Sequence, residues 1–228
     1  MSQPRLILAS ASPRRRELLL QAGYEFEVHP PEIDEDDYPP QTLPADIAQR
    51  LAQLKAQALA DRFYNDVILA ADTVVAFGDV SLGKPTDAEH ALSMLELLSG
   101  TTHVVITGVT VIRPATRFSI STRVMSSVRM RPLTEKEIAR YVDTGDWQGK
   151  AGGYGIQDQR TDPFVTRIAG SQSNIVGLPM EAARELLSSA GIEPKTSLPT
   201  KQRPQKGLPE ITDRESREIQ NPKQRPAV

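Results

Sequence analysis

The chain contains no cysteine. Disulfides, cysteine-ligated zinc and thiol catalysis are therefore excluded, and a reducing compartment fits. Only three histidines are present, none at metal-ligand spacing. There is no Walker A loop, no dinucleotide fingerprint and no serine–histidine pairing that would support nucleophilic catalysis. Charge of one sign is not in excess: the formal net charge is −2. A global basic field for nucleic acid is thus lacking, and no nucleic-acid partner is expected. No apolar run approaches membrane-spanning length, and the one near the N-terminus is too short for a signal peptide. No membrane partner is expected, and the expected location is cytoplasmic. The only tryptophan, Trp147, reads as a packing residue rather than a base-stacking one.

What is present is enough for a substantial core. The chain has 228 residues, 39% of them hydrophobic, and composition divides it into a domain over 1–194 and a tail over 195–228. The tail is rich in Pro, Gln, Lys and Arg, carries about +4, and reads as disordered. Within the domain, Leu6–Ala9 reads as a buried strand, Pro44–Phe63 as a helix, and Val67–Ala71 as a second strand ending at Asp72. Thr73–Phe77 and Val80–Leu82 read as a hairpin about Gly78-Asp79. A helix over Asp87–Leu98 follows, then long strands over His103–Ile112 and Phe118–Met130. Thr134 to Glu137 is a capping box that opens another helix, Pro163–Ile168 is a further strand, and Met180–Ala190 is a last helix. The order lacks a regular βαβ rhythm, so the fold class is α/β with a mixed sheet flanked by helices.

The most telling local pattern is Ser12-Pro13-Arg14-Arg15-Arg16. Serine is a good N-cap and proline suits the first helical position, so a helix starts here. Its first turn then carries up to three cations where the helix dipole prefers carboxylates. Either the arginines splay into water, or an anion such as a phosphate chain accepts their hydrogen bonds and those of free backbone amides. Four other polar clusters stand out. Glu32 to Asp37 is an acidic run between prolines, either solvated or able to offer carboxylates to a hard cation. Asp72 sits at the expected carboxyl end of an apolar strand, where open α/β sheets place ligands, or is simply a turn former. Lys55, beside an apolar stripe, and Lys84, in Gly83-Lys84-Pro85, could neutralise phosphate oxygens or be solvated. The loop Gly149–Gly155 allows close backbone approach to a flat ligand, and Gln157 offers the donor and acceptor that match a pyrimidine edge.

Together these segments resemble the Maf family of nucleoside triphosphate pyrophosphatases, from about Arg5 to Ile192. Ser10 to Arg15 resembles the family's S-x-S-P-R-R opening, Glu32 to Glu35 its acidic segment, and Arg50 to Ala56 its R-L-A-x-x-K-A helix. Ala71 to Val75 is similar to A-D-T-x-V, Gly83 to Pro85 to G-K-P, Lys150 to Gln157 to K-A-G-x-Y-G-I-Q, and Val176 to Pro179 to V-G-L-P. One departure is Gly153, where alanine is commoner. The resemblance implies an inosine-triphosphate-pyrophosphatase-like fold: an elongated mixed sheet in two lobes around a cleft, often a homodimer. It implies hydrolysis of dTTP and UTP, or of modified pyrimidine nucleotides, to the monophosphate and pyrophosphate, with Mg2+ or Mn2+. Asp72 matches the family's proton acceptor, and Glu35, Lys55 and Lys84 match its other active-site residues, with Glu35 and Asp72 as metal ligands. Ser12, Arg14 and Arg15 are expected to hold the triphosphate. Arg14, Thr73 and Gln157 resemble the branch that prefers dTTP and UTP. The alternative is a nucleotide-binding regulator of cell division with little turnover.

Overall fold

The computed structural model describes residues 4–35, 38–39, 41–156 and 164–195. Gln157 and the tail beyond Lys195 lie outside the described residues. Along the described chain the strands are β1 (Leu6–Ala9), β2 (Glu27–Val28), β3 (Val67–Phe77), β4 (Val80–Leu82), β5 (Thr102–Arg113), β6 (Phe118–Met130) and β7 (Val165–Ala169). The α-helices are α1 (Pro13–Gln21), α2 (Pro44–Gln57), α3 (Ala88–Leu98), α4 (Glu135–Asp143), α5 (Gln172–Val176) and α6 (Met180–Ser189). The strands form one sheet in the order β2-β1-β3-β5-β6-β7, with β4 also paired to β3. The β1 contacts are parallel and those of β3 with β5, β5 with β6 and β6 with β7 antiparallel, so the sheet is mixed.

Helices cover both faces, which is why β1 and β3 read as continuous apolar runs. Alternate side chains then part to opposite faces. Leu6, Leu8, Val67, Leu69 and Ala71 pack with Leu19 of α1, Leu178, and Ala183 and Leu187 of α6. Farther along the same face, Val75 and Val105 join α3, α4, Trp147 and Tyr154 in a second core. The two cores make two lobes. On the opposite face Ile7, Ala9, Ile68 and Ala70 meet Ala56, Leu59 and Phe63, while Val74, Ala76 and Ile106 meet Ile47, Ala48 and Leu51 of α2. Trp147 donates Nε1–H to the Val142 carbonyl at 3.0 Å inside the second core, a packing role.

One expectation is corrected. Asp72 does not end a strand: β3 runs unbroken from Val67 to Phe77, and the two expected segments are one. A lone carboxylate interrupts the apolar pattern but not the backbone ladder, since Asp72 pairs opposite Gly108 of β5. The interruption is real on the other edge of β3. There β1 pairs with Val67–Ala70 and β4 pairs with Val75–Phe77. Among the described residues, 71–74 have no strand partner on that side. The short helix α5 and strand β2 lack any periodic signal in the sequence and were not expected from it.

Candidate active site

The opening between β1 and β4 is the floor of a cavity of about 390 Å³. That volume lies in the range of small-molecule sites. Asp72 and Thr73 are neighbours, so their side chains leave β3 toward opposite faces. Both nevertheless line the cavity, because the sheet has no strand there to divide one face from the other. The structure brings Ser12, Arg14, Arg15, Glu35, Lys55, Asp72, Thr73 and Lys84 to this one cavity. Their segments are far apart in sequence; the topology gathers them.

Asp72 points to the α2 face. Lys55 reaches it from the last turn of α2, with Nζ 2.5 Å from Asp72 Oδ1 and both side chains 8% exposed. The same ammonium lies 2.7 Å from Glu35 Oε1, and Lys84 Nζ lies 2.7 Å from Glu35 Oε2. The result is an alternating chain, Asp72–Lys55–Glu35–Lys84. Burial pulls the Glu35 carboxyl upward, but hydrogen bonds and charge from Lys55 and Lys84 outweigh it and hold the group at about 2. Lys55 can approach because α2 lies directly on β5 at Gly108. A Cβ there would fall 2.3 Å from the Ala48 carbonyl oxygen, so only glycine fits.

On the other side, β1 feeds α1 through Ser10-Ala11-Ser12. Ser12 is the N-cap, its Oγ accepting from the Arg15 amide, with Pro13 in the first turn, as the sequence predicts. The three arginines then separate. Arg16 is exposed. Arg14 is half-buried and donates to the Gly149 carbonyl at 3.2 Å, bridging α1 to the glycine loop. Arg15 is buried, donating from Nε to the Gly177 carbonyl at 2.7 Å and from its two terminal nitrogens to Ser10 Oγ at 3.1 Å and Thr73 Oγ1 at 3.0 Å. Neutral oxygens thus take three of its five N–H donors. Burial draws its pKa below the ordinary arginine value, with the charge of Asp72 the largest opposing influence.

The glycine loop closes the far wall. Gly152 donates to the Gly83 carbonyl at 2.9 Å, fixing the loop beside Lys84. Gly152 has φ +69° and sits where a Cβ would come 3.0 Å from Val75, so glycine is required twice over. Tyr154 lines the cavity, and its hydroxyl meets buried His103 Nε2 at 2.5 Å. Lys150 also lines the cavity although its sequence context drew attention only to the glycines around it. Ser10 and Gly177 were likewise missed as site residues; their part is to accept from Arg15, which no local pattern announces.

Among the described residues of the lining, Arg14, Arg15, Lys55, Lys84 and Lys150 oppose Glu35 and Asp72. A chain of net charge −2 thus concentrates positive charge in one concave site. Such a site is complementary to a compact polyanion. Asp72 Oδ1 is taken by Lys55, and among the described residues nothing hydrogen-bonds its second oxygen. Both oxygens of Glu35 are taken by lysines.

The family model for Maf-like proteins matches residues 5–190. The chain is 49% identical over 187 residues to the dTTP/UTP pyrophosphatase of Hyphomonas neptunium, spanning 82% of this chain and 95% of that protein. It is 46% identical over 186 residues to the dTTP/UTP pyrophosphatase of Roseobacter denitrificans, spanning 81% and 96%. The dTTP/UTP pyrophosphatase of Desulforamulus reducens is 40% identical over 188 residues, spanning 82% and 97%. Among solved structures, a HAM1 protein from Coxiella burnetii is 14% identical, with a TM-score of 0.43 over 82% of this chain and all of that one. The matched span holds β1 through the whole of α6, and with them every described wall of the cavity: this chain belongs to the Maf-like protein family.

Proposed function

We infer that this chain is a nucleoside triphosphate pyrophosphatase that hydrolyses dTTP and UTP to the monophosphate plus pyrophosphate. The observation that carries the reading is the cavity itself, in which, among the described residues, a surplus of cations surrounds a buried carboxylate with one oxygen unengaged. The names of the relatives at 40–49% identity supply the substrate class.

In the reaction a water oxygen bonds to the α-phosphorus, the bond from that phosphorus to the bridging oxygen breaks, and pyrophosphate leaves with the electron pair. Asp72 is the favoured proton acceptor, because its second oxygen is available while Glu35 is held at both oxygens. Lys55 orients Asp72 through Oδ1. Lys84 and Arg14, the more exposed cations, face the charge that grows on the leaving pyrophosphate. Ser12 and the start of α1 receive the phosphate chain, and Arg15 shapes that end from beneath. Thr73 and Gln157 read the base.

The residues suit a divalent cation of the Mg2+ or Mn2+ type. Asp72 offers one unengaged hard carboxylate oxygen, Glu35 offers its own once an incoming ion and phosphates draw Lys55 or Lys84 away, and among the described residues no third His, Cys, Asp or Glu joins them in a cluster. Two carboxylates completed by substrate phosphates is the usual way such ions are held. When bound, the ion screens the phosphate oxygens and acidifies water.

No helix among the described residues is long and apolar enough to cross a membrane. A homodimer working on free nucleotides in the cytoplasm is the setting we propose. The deciding experiment is pyrophosphate release from dTTP and UTP with magnesium. Release that needs the metal supports the reading. Tight nucleotide binding without release overturns it in favour of a regulator.

A further inference from the structure

Thr73 and Thr107 face each other across β3 and β5, directly paired in the ladder. They occupy the seam between the two cores on their face of the sheet, where the apolar pattern of both strands lapses. Thr107 is fully buried, and its Oγ1 lies 2.9 Å from Thr73 Oγ1 and 3.2 Å from the backbone carbonyl of Asn174. That carbonyl is fixed. Asn174 is itself fully buried, and its side-chain amide donates to the Val105 carbonyl at 3.0 Å and to Ser126 Oγ at 2.9 Å.

The direction of each proton follows from what each group can do. A carbonyl only accepts, so Thr107 spends its single hydrogen on Asn174. A guanidinium only donates, so Arg15 occupies one lone pair of Thr73 at 3.0 Å. Thr107 can then only accept from Thr73, and the Thr73 hydrogen points inward. Its other acceptor neighbour, the Gly177 carbonyl, lies at 3.4 Å, too long for more than a weak hold on that hydrogen. What Thr73 shows a ligand is one lone pair and no proton.

We propose that Thr107 is a positioning residue that locks Thr73 as an acceptor and thereby makes the site select pyrimidines bearing an imide N–H. The proposal rests on the reading of Thr73 as a base-reading residue. Uracil and thymine carry a hydrogen on N3. Cytosine carries a lone pair there, which would meet the lone pair of Thr73 and leave both unsatisfied. Discrimination then comes from a residue that never touches the nucleotide.

The test compares Thr107→Val and Thr107→Ser with the wild type. Binding of non-hydrolysable α,β-imido analogues of UTP and CTP is measured beside pyrophosphate release from UTP and CTP. Thr107→Val frees the Thr73 hydroxyl to turn. The wild-type preference for uracil should shrink by about tenfold or more, the scale of one unpaired polar group. Thr107→Ser keeps the hydroxyl and should restore the preference, which a loss of packing alone would not predict. An unchanged preference in Thr107→Val, or a wild type with no preference, overturns the proposal. If preference responds but no nucleotide is cleaved, the activity reading falls and this inference stands. Should Thr107→Val fail to fold, wild-type protein is tested with 5-fluoro-UTP, whose imide ionises at lower pH than that of UTP. Its binding relative to UTP should fall across that ionisation, and parallel behaviour of the two nucleotides overturns the proposal.

Discussion

Lys55 and Asp72 meet at 2.5 Å, each with only 8% of its side chain exposed, one from the end of a helix and the other from the middle of a strand. A carboxylate in the body of an apolar strand is tolerable only because this ammonium is there. Burying an unpaired charge costs far more than the pair contributes.

The two residues should therefore respond unequally to substitution. Lys55→Met leaves Asp72 buried without its direct partner and should cost about 3 kcal/mol or more in urea unfolding. Asp72→Asn keeps a hydrogen-bonding oxygen for Lys55, which still has Glu35, and should unfold close to wild type while losing turnover. Near wild-type turnover in Asp72→Asn would remove it as the proton acceptor.

Arg14 and Arg15 are adjacent in sequence and should also separate. Arg15 is buried and holds three oxygens from three segments. Lysine cannot reproduce that planar fork. Arg15→Lys should lower the melting temperature, with a loss of about 2 kcal/mol for the broken buried set. Arg14→Lys should change the melting temperature far less, since Arg14 is only half-buried and makes one bond, to the Gly149 carbonyl. Its effect should appear in KM and in the salt dependence of kcat/KM.

Acid should destabilise the protein in two stages. Burial draws His103 down from 6.5 to about 4, so the unfolded chain takes up that proton first as pH falls. Its contribution is intact above pH 6.5 and is lost between there and about 4. Glu35, held at about 2 against an ordinary 4.5, acts lower: its contribution is intact above pH 4.5 and is lost below it. Melting temperature followed against pH should thus begin to fall before carboxylates titrate. His103→Gln, which can still bond the Tyr154 hydroxyl, should flatten the upper stage and leave the lower one. An unaltered upper stage would exclude His103 as its source.

Legibility in the sequence tracks how local the causes are. The start of α1 was readable because Ser12 and Pro13 act within one turn. The capping box of Thr134 and Glu137 was readable for the same reason, and both of its bonds are present. The expected site residues Arg14, Glu35, Lys55, Asp72 and Lys84 do converge, yet their pairing with one another has no local signature. Asp72 was misplaced to a strand end because a charge inside an apolar run normally marks an end; the reason it does not lies 17 residues away in Lys55. Asn174 and Thr107 carry nothing in their neighbourhoods to mark them, and the V-G-L-P motif around Gly177 does not reveal its part as an acceptor for Arg15. Their meaning comes from what three distant segments bring against them.

Gly108 gives the sharpest test of how the fold places the chemistry. It touches no part of the cavity. A methyl group there would lie 2.3 Å from the Ala48 oxygen, 2.5 Å from its carbonyl carbon and 2.7 Å from Gln49 Cα, all of them backbone. Side-chain rearrangement cannot relieve such a clash, so α2 must lift from β5. Lys55 lies on the same helix, seven residues beyond Ala48 and two turns nearer the site. Asp72, on the far side of the contact, is held by the ladder to β5 and cannot follow. Gly108→Ala should therefore cost about 1–3 kcal/mol as an overpacked contact. It should also lower kcat more than it raises KM, because the phosphate-holding residues of α1 are not on the displaced helix. Equal losses in both constants would mean that the whole cavity deforms, and an unchanged kcat would mean that the distance between Lys55 and Asp72 does not govern the chemical step.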